Sequence, residues 1–453
     1  MNHRLDDDSL RILDAALKKM SAGFASLPSV ETDTQAGGAF ESIITQVAER
    51  MQNNYPYFHP LYAGQMLKPP HPIARTAYAL AMWINPNNHA LDGSRASSPM
   101  EKECVAQIAA MFGWQTHLGH LTSGGTMANL EALWMAGQLH PGKFIVASTQ
   151  SHYTHHRISG VLNLKFDSIA CDVRGRMDIR SLKERLARGD VGTVVATLGT
   201  TATGSVDPLE EIFALQREFG FRIHADAAYG GYFTLAGNLE RHARRSFDLL
   251  TRVDSIVVDP HKHGLQPYGC GCIIFRNPSL GTFYKHNSPY NYFTSDDLHL
   301  GEISLECSRA GASAVALWAT MHLLPLDRGG AFAASLESCR AAAMKLHEKL
   351  SADPRFVPAF VPELDIVVWA ATAPTVSTSS ALARKIFDQA AKFDLHLALA
   401  ELPASFFDFS RAGVTQDAET VTCLRSVLMK PEHLKWVDEI WTRLDNAAAI
   451  SLA

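Results

Sequence analysis

The chain has 453 residues, a formal net charge of -5, 47% hydrophobic residues and 19% charged residues. That length supports two or three structural units around a sizeable core, and the composition is that of an ordinary globular protein. The mild negative charge argues against a nucleic-acid partner, and no apolar run approaches the roughly 18 residues of a membrane span.

The start, MNHRLDDDSL, is acidic and polar, unlike a signal peptide, so a cytoplasmic location is the expectation. Seven scattered cysteines suit reduced thiols. Cys270 and Cys272 are the one close pair. No second pair completes a four-ligand zinc site, and no metal is expected.

In chain order, residues 1–30 read as a helix and then a loop, and 38–54 as a helix with apolar residues three and four apart. The stretch YPYFHPLYAGQMLKPPHP, 55–72, is irregular and is expected to wrap over a surface. From residue 101 short apolar runs alternate with helical stretches. Candidate strands are 143–148, 167–172, 191–199, 221–226, 255–259 and 270–276, with amphipathic helices at 178–189 and 208–220. This alternation predicts a mainly parallel sheet covered on both faces. Helices near 309–324 and 331–351 lead into a smaller α+β unit. Its strands are expected at 363–372 and 421–429, its helices at about 379–393 and 431–450. The expected organisation is an N-terminal arm over 1–100, a large α/β domain over 101–350 and a small α+β domain over 351–453. In such open sheets, ligands sit at the carboxyl ends of the strands.

Five stretches fall at those ends. In HLTSGGTMANLEALWMAG, Ser123, Gly124, Gly125 and Thr126 lead into a helix, whose free N–H groups suit a phosphate. In SHYTHHRISG, His152 could stack on a flat ring. His152 and His156 are four apart, but the glutamate of a zinc-hydrolase helix is missing. Surface or capping roles are expected for His155 and His156. In ATLGTTATGSVDPL, Thr201 follows a strand end. In RIHADAAYGGYF, Asp226 ends an apolar strand and could pair with a protonated pyridine nitrogen. In VVDPHKHGLQPYG, Lys262 stands just past another strand. Each stretch alone has a plain structural account, as an N-cap, a turn or a loop charge. In this order they are the three fixed points of a pyridoxal 5′-phosphate site: phosphate cradle, ring-nitrogen carboxylate and Schiff-base lysine.

These stretches, with LECSRAGASAVALWATMHLLPL at 305–326, resemble the group II pyridoxal-phosphate decarboxylases on the fold-type I (aspartate aminotransferase-like) scaffold, and bacterial tyrosine decarboxylases in particular. The resemblance implies a carboxy-lyase releasing an amine and CO2 from an L-amino acid, through a Schiff base on Lys262 and a quinonoid intermediate. It assigns Asp226 to the pyridine nitrogen, and Ala228 and His152 to the two ring faces. Thr201 falls near the phenolic oxygen, Ser123 to Thr126 at the phosphate, and His261 beside it. It also implies a homodimer with shared active sites, and a mobile loop whose tyrosine protonates the carbanion. Tyr290 is the choice for that tyrosine and Tyr292 the reserve. Burial of Lys262 would favour its neutral amine. Aromatic amino acids are the first choice of substrate. A retro-aldol lyase resembling sphingosine-phosphate lyase, or an aminotransferase, is the alternative. Arg309 carries no assigned role, and His263 is expected to be a wall residue behind the lysine.

Overall fold

The protein is described from a computed structural model covering residues 8–29, 37–285 and 300–453. Three helices come first in the chain: α1 (Ser9–Ala22), α2 (Gly37–Met51) and α3 (Pro72–Met82). His71 caps α3 by accepting from the Ile73 amide, and Pro72 opens the helix where its missing N–H costs nothing. On α2, Phe40, Ile43, Ile44, Val47 and Met51 are exposed at helical spacing and make one apolar stripe.

After α4 (Ser97–Met111) the chain alternates strand and helix: β1 (Leu118–Thr122), α5 (Gly125–Leu139), β2 (Phe144–Ser148), α6 (Thr154–Val161), β3 (Lys165–Ile169), α7 (Ile179–Leu186) and β4 (Val191–Thr197). It continues through α8 (Leu209–Phe219), β5 (Arg222–Asp226), α9 (Arg241–Asp248), β6 (Ser255–Val258) and β7 (Gly271–Phe275). The seven strands lie in the order β1-β7-β6-β5-β4-β2-β3. Neighbours from β6 to β3 are parallel, while β7 runs antiparallel to both β1 and β6. All seven residues of β4 are buried, as a strand covered on both faces requires. Thr197 is in register with Asp226, so the parallel strands reach one common edge.

The strand expected at 167–172 begins two residues earlier, at Lys165. β1, LGHLT, is not among the strands expected from sequence. The glycine has a structural reason. A Cβ on Gly119 would meet the Ile273 carbonyl at 2.6 Å, so its absence lets β1 lie against β7.

The helices α10 (Gly311–Leu323) and α11 (Ala331–Ala352) lead to β8 (Phe356–Pro358), β9 (Ile366–Ala371), α12 (Val376–Ala391), β10 (Ala398–Pro403), β11 (Thr420–Val427) and α13 (His433–Leu452). The strands form an antiparallel sheet in the order β10-β11-β9-β8. Thr375 and Thr378 make a capping box that fixes where α12 starts. The stretch 55–72 does more than wrap a surface. Leu61 and Ala63 are buried in the apolar core centred on Trp369, and Tyr62 beside them is 5% exposed. The Ala63 amide donates to the His396 carbonyl at 2.9 Å, and its carbonyl accepts from the Val427 amide at 2.8 Å. Those bonds satisfy a buried backbone that no loop could leave unpaired.

Candidate active site

The cradle forms where β1 hands over to α5. Gly124 takes φ +149, and Thr122 Oγ1 donates to its carbonyl at 3.0 Å. Two contacts leave no room for side chains. A Cβ on Gly271 would stand 2.5 Å from the Gly124 backbone carbon, and one on Gly125 would stand 2.5 Å from Asp259 Oδ2. The Ser123 amide donates to Glu306 Oε2 at 2.9 Å, so this turn already holds a carboxylate. Backbone amides at a helix start suit an anion.

Lys262 lies on the turn after β6, closed by its amide donating to the Asp259 carbonyl at 2.9 Å. Its Nζ stands 3.1 Å from Asp259 Oδ2. The side chain is 21% exposed and ion-paired, so it is less buried than the sequence reading expects. Leu265 follows at φ +67, an unfavourable conformation for a branched side chain. The His71 amide, donating to the Leu265 carbonyl at 2.9 Å, helps hold it there.

Asp226 ends β5 and is 5% exposed. Its Oδ2 accepts from His155 Nε2 at 2.8 Å, and its Oδ1 from the Ala228 amide at 3.2 Å. Burial works to raise this carboxyl. The His155 hydrogen bond and charge, with Lys262 nearby, hold it well below the usual carboxylate range. His155 is fully buried, which corrects the surface or capping role expected for it; His156 is exposed. Beneath this pair, His224 Nε2 donates to Asn129 Oδ1 at 2.9 Å, and Nδ1 accepts from Ser255 Oγ at 2.9 Å. Burial pushes His224 down to about 3.

All ten residues assigned to the cofactor line one cavity of about 380 Å³: Ser123, Gly124, Gly125, Thr126, His152, Thr201, Asp226, Ala228, His261 and Lys262. The residue types suit a phosphorylated pyridine ring. Helix-start amides lie at one end, an ionised carboxylate is buried in the wall, and an amine stands beside them. His152 is half-buried, accepts from the Thr154 amide at 3.2 Å and is lowered by burial. His261 Nδ1 and Asp259 Oδ1 are buried polar atoms with no partner among the described residues. Tyr290 and Tyr292 lie outside the described residues.

Several participants escaped the sequence. Asp259 sits inside the stretch that drew attention to Lys262, yet a carboxylate before a proline reads as a turn residue. Arg425 on β11 reaches across to the site's edge. Its guanidinium donates to the carbonyls of Thr201 at 2.6 Å and Ala202 at 2.9 Å, and to Gln65 Oε1 at 3.0 Å. Arg309 binds Glu101 Oε1 at 2.7 Å and the Leu121 carbonyl, bracing β1 from behind. His263 is a buried wall residue with a partner: its Nε2 stands 3.2 Å from Asp365 Oδ2, and the Tyr229 hydroxyl donates to Asp365 Oδ1 at 2.6 Å.

A family model described as the pyridoxal-dependent decarboxylase conserved domain matches residues 134–371. The chain is 31% identical over 263 residues to a probable L-tyrosine/L-aspartate decarboxylase of Methanothermobacter thermautotrophicus, covering 57% of this chain and 69% of that protein. A relative from Methanocella arvoryzae with the same description is 30% identical over 338 residues, covering 74% and 85%. The L-tyrosine decarboxylase of Levilactobacillus brevis is 26% identical over 395 residues, covering 65% of this chain; the match spans 63% of that protein's length. Among solved structures, mouse CSAD superposes with a TM-score of 0.78 at 20% identity, covering 95% of this chain and 92% of that one. Oryza sativa TDC with PLP and tryptamine superposes with a TM-score of 0.78 at 18% identity, covering 99% of each.

Proposed function

The chain belongs to the group II pyridoxal-dependent decarboxylases, and from that premise we propose that it converts an aromatic L-amino acid to its amine and CO2. It is a carboxy-lyase with a fold-type I scaffold, and its cofactor is pyridoxal 5′-phosphate. The observation that carries the reading is the convergence of Lys262, Asp226 and the Ser123–Thr126 turn on one cavity.

When bound, the cofactor supplies an electron sink for the pair left behind by CO2. The chain's own residues do the rest. Amides of the 123–126 turn would hold the phosphate. Asp226, kept ionised, would hold a proton on the ring nitrogen, and His155 fixes the carboxylate's orientation. His152 and Ala228 would confine the ring, Thr201 would serve its phenolic oxygen and His261 the phosphate. Lys262 would supply the amine that holds the cofactor. Asp259, 3.1 Å away, keeps that amine placed. Tyr290, by family resemblance, returns a proton to the substrate's α-carbon.

The aromatic choice draws on the names of the tyrosine decarboxylases, and aspartate is the second choice on the names of the archaeal relatives. The proposed assembly is a homodimer, supported by the apolar stripe on α2. The proposed location is cytoplasmic, in keeping with seven unpaired cysteines. Residues 1–100, 101–350 and 351–453 are proposed as arm, cofactor domain and small domain. The test is a screen of the proteinogenic L-amino acids for CO2 and amine release with added cofactor. Release from tyrosine or another aromatic amino acid is expected. Release from none of the twenty overturns the reading.

A further inference from the structure

Away from the cofactor site, a cavity of about 330 Å³ opens where the arm meets α11 and the residues leading into α13. Two lysines line it. Lys430 is 4% exposed, and its Nζ donates to the Tyr62 carbonyl at 2.6 Å and stands 5.3 Å from the Tyr62 ring centre. Lys68 Nζ donates to the Met429 carbonyl at 3.2 Å. An ammonium has three donors, and each lysine spends one here on a backbone oxygen. Glu432 is the one carboxylate among the described residues of the lining, and no ion pair joins it to either lysine among them.

Two amines facing one cavity, Lys430 buried and Lys68 half-buried, with no ion pair among the described residues, are costly to keep charged. Burial first, then Lys68 nearby, pushes Lys430 down to about 7, and burial lowers Lys68, with Glu432 opposing both shifts and Asp365 the second. Ala331, the first residue of α11, adds the positive end of a 22-residue helix to the same wall. The rest of the wall includes Phe58, Leu265, Leu324 and Pro431. An inorganic anion would satisfy the amines and leave this apolar surface uncovered, and an amine would be repelled.

We propose that this cavity is a second ligand site, distinct from the cofactor cavity, which takes a small organic carboxylate with an apolar body. The carboxylate pairs with Lys68 and Lys430, and the body lies against Phe58 and Leu324. The volume is at the lower end of small-molecule sites, about 300–1,000 Å³, and suits an arylalkanoic acid. Leu265 is shared by this cavity and the turn that carries Lys262, so an occupant touches the same backbone as the lysine.

The test is calorimetric titration of the holoenzyme with 3-phenylpropanoate, with 3-phenylpropanamide and inorganic phosphate as comparison probes. The carboxylate should bind, and the amide and phosphate should bind at least tenfold more weakly. Lys430→Met should weaken the carboxylate at least tenfold. Ser335→Leu, which fills the cavity and keeps both lysines, should do the same. The cofactor's absorbance should be unchanged in both variants. No binding by the unaltered protein overturns the proposal, as does an isotherm that neither substitution changes, since the acid then sits elsewhere. Phosphate binding as tightly as the carboxylate overturns the apolar part of the site.

Discussion

His155 Nε2 lies 2.8 Å from Asp226 Oδ2, with both side chains buried, so the carboxylate at the end of β5 is oriented by a helix that starts after β2. His155→Leu would leave a buried carboxylate short of a donor. We expect kcat to fall on the order of 10- to 100-fold, with a shifted pH titration of the bound cofactor's absorbance. His155→Gln, which can still donate, should recover part of both. An unaltered titration in the leucine variant would remove His155 from the site.

Lys262→Ala should abolish the absorbance near about 420 nm expected of the lysine-held cofactor, with turnover falling by roughly 1,000-fold or more. The variant's spectrum after reconstitution is the check. A wild-type band would mean another amine holds the cofactor.

Gly271→Ala puts a methyl group into the Gly124 backbone, 2.5 Å away, where no flexible side chain can yield. The cradle must shift, and we expect the cofactor to bind at least about tenfold more weakly. Fluorescence titration with pyridoxal 5′-phosphate and with unphosphorylated pyridoxal separates the causes. The loss should be confined to the phosphorylated form.

Acid should destabilise the protein through its buried neutral histidines. In the unfolded chain an imidazole takes a proton below about pH 6.5, whereas native His224 waits until about 3. Between those values the unfolded state holds the extra proton, so stability falls as pH falls. At pH 5 His224 accounts for about 2 kcal/mol of that loss. Urea midpoints at pH 7 and 5 should show His224→Gln less stable at pH 7 and less sensitive to acid. Equal pH slopes would contradict the assignment.

The stripe of Phe40, Ile43, Ile44 and Val47 predicts that Ile44→Asp weakens the proposed homodimer. Light scattering should give a two-chain mass for the parent and a concentration-dependent lower mass for the variant. A monomeric, active parent would refute the shared-site proposal.

The period-two and period-3.6 patterns were enough to place β2, β4 to β7, β9 and β11, and helices α7, α8 and α10 to α13, because those strands carry apolar residues in runs or in alternation and those helices are amphipathic or long. The strands that went unseen are short or interrupted: β1 carries a glycine needed for close approach to β7, β8 has three residues, and β10 contains glutamate and proline. In the site, the residues that announced themselves stand at strand ends beside glycines. Those that did not are partners by folding alone. Asp226 and His155 are 71 positions apart, and Arg425 meets Thr201 from 224 positions away. No local spacing encodes such meetings, and a buried histidine looks in sequence like an exposed one.

The Cβ that Gly125 lacks would fall 2.5 Å from the carboxylate that holds Lys262. A methyl group at 125 would therefore have to push the Asp259 carboxylate aside, away from the amine it holds. A substitution at the start of α5 would then be felt at a lysine on a different turn.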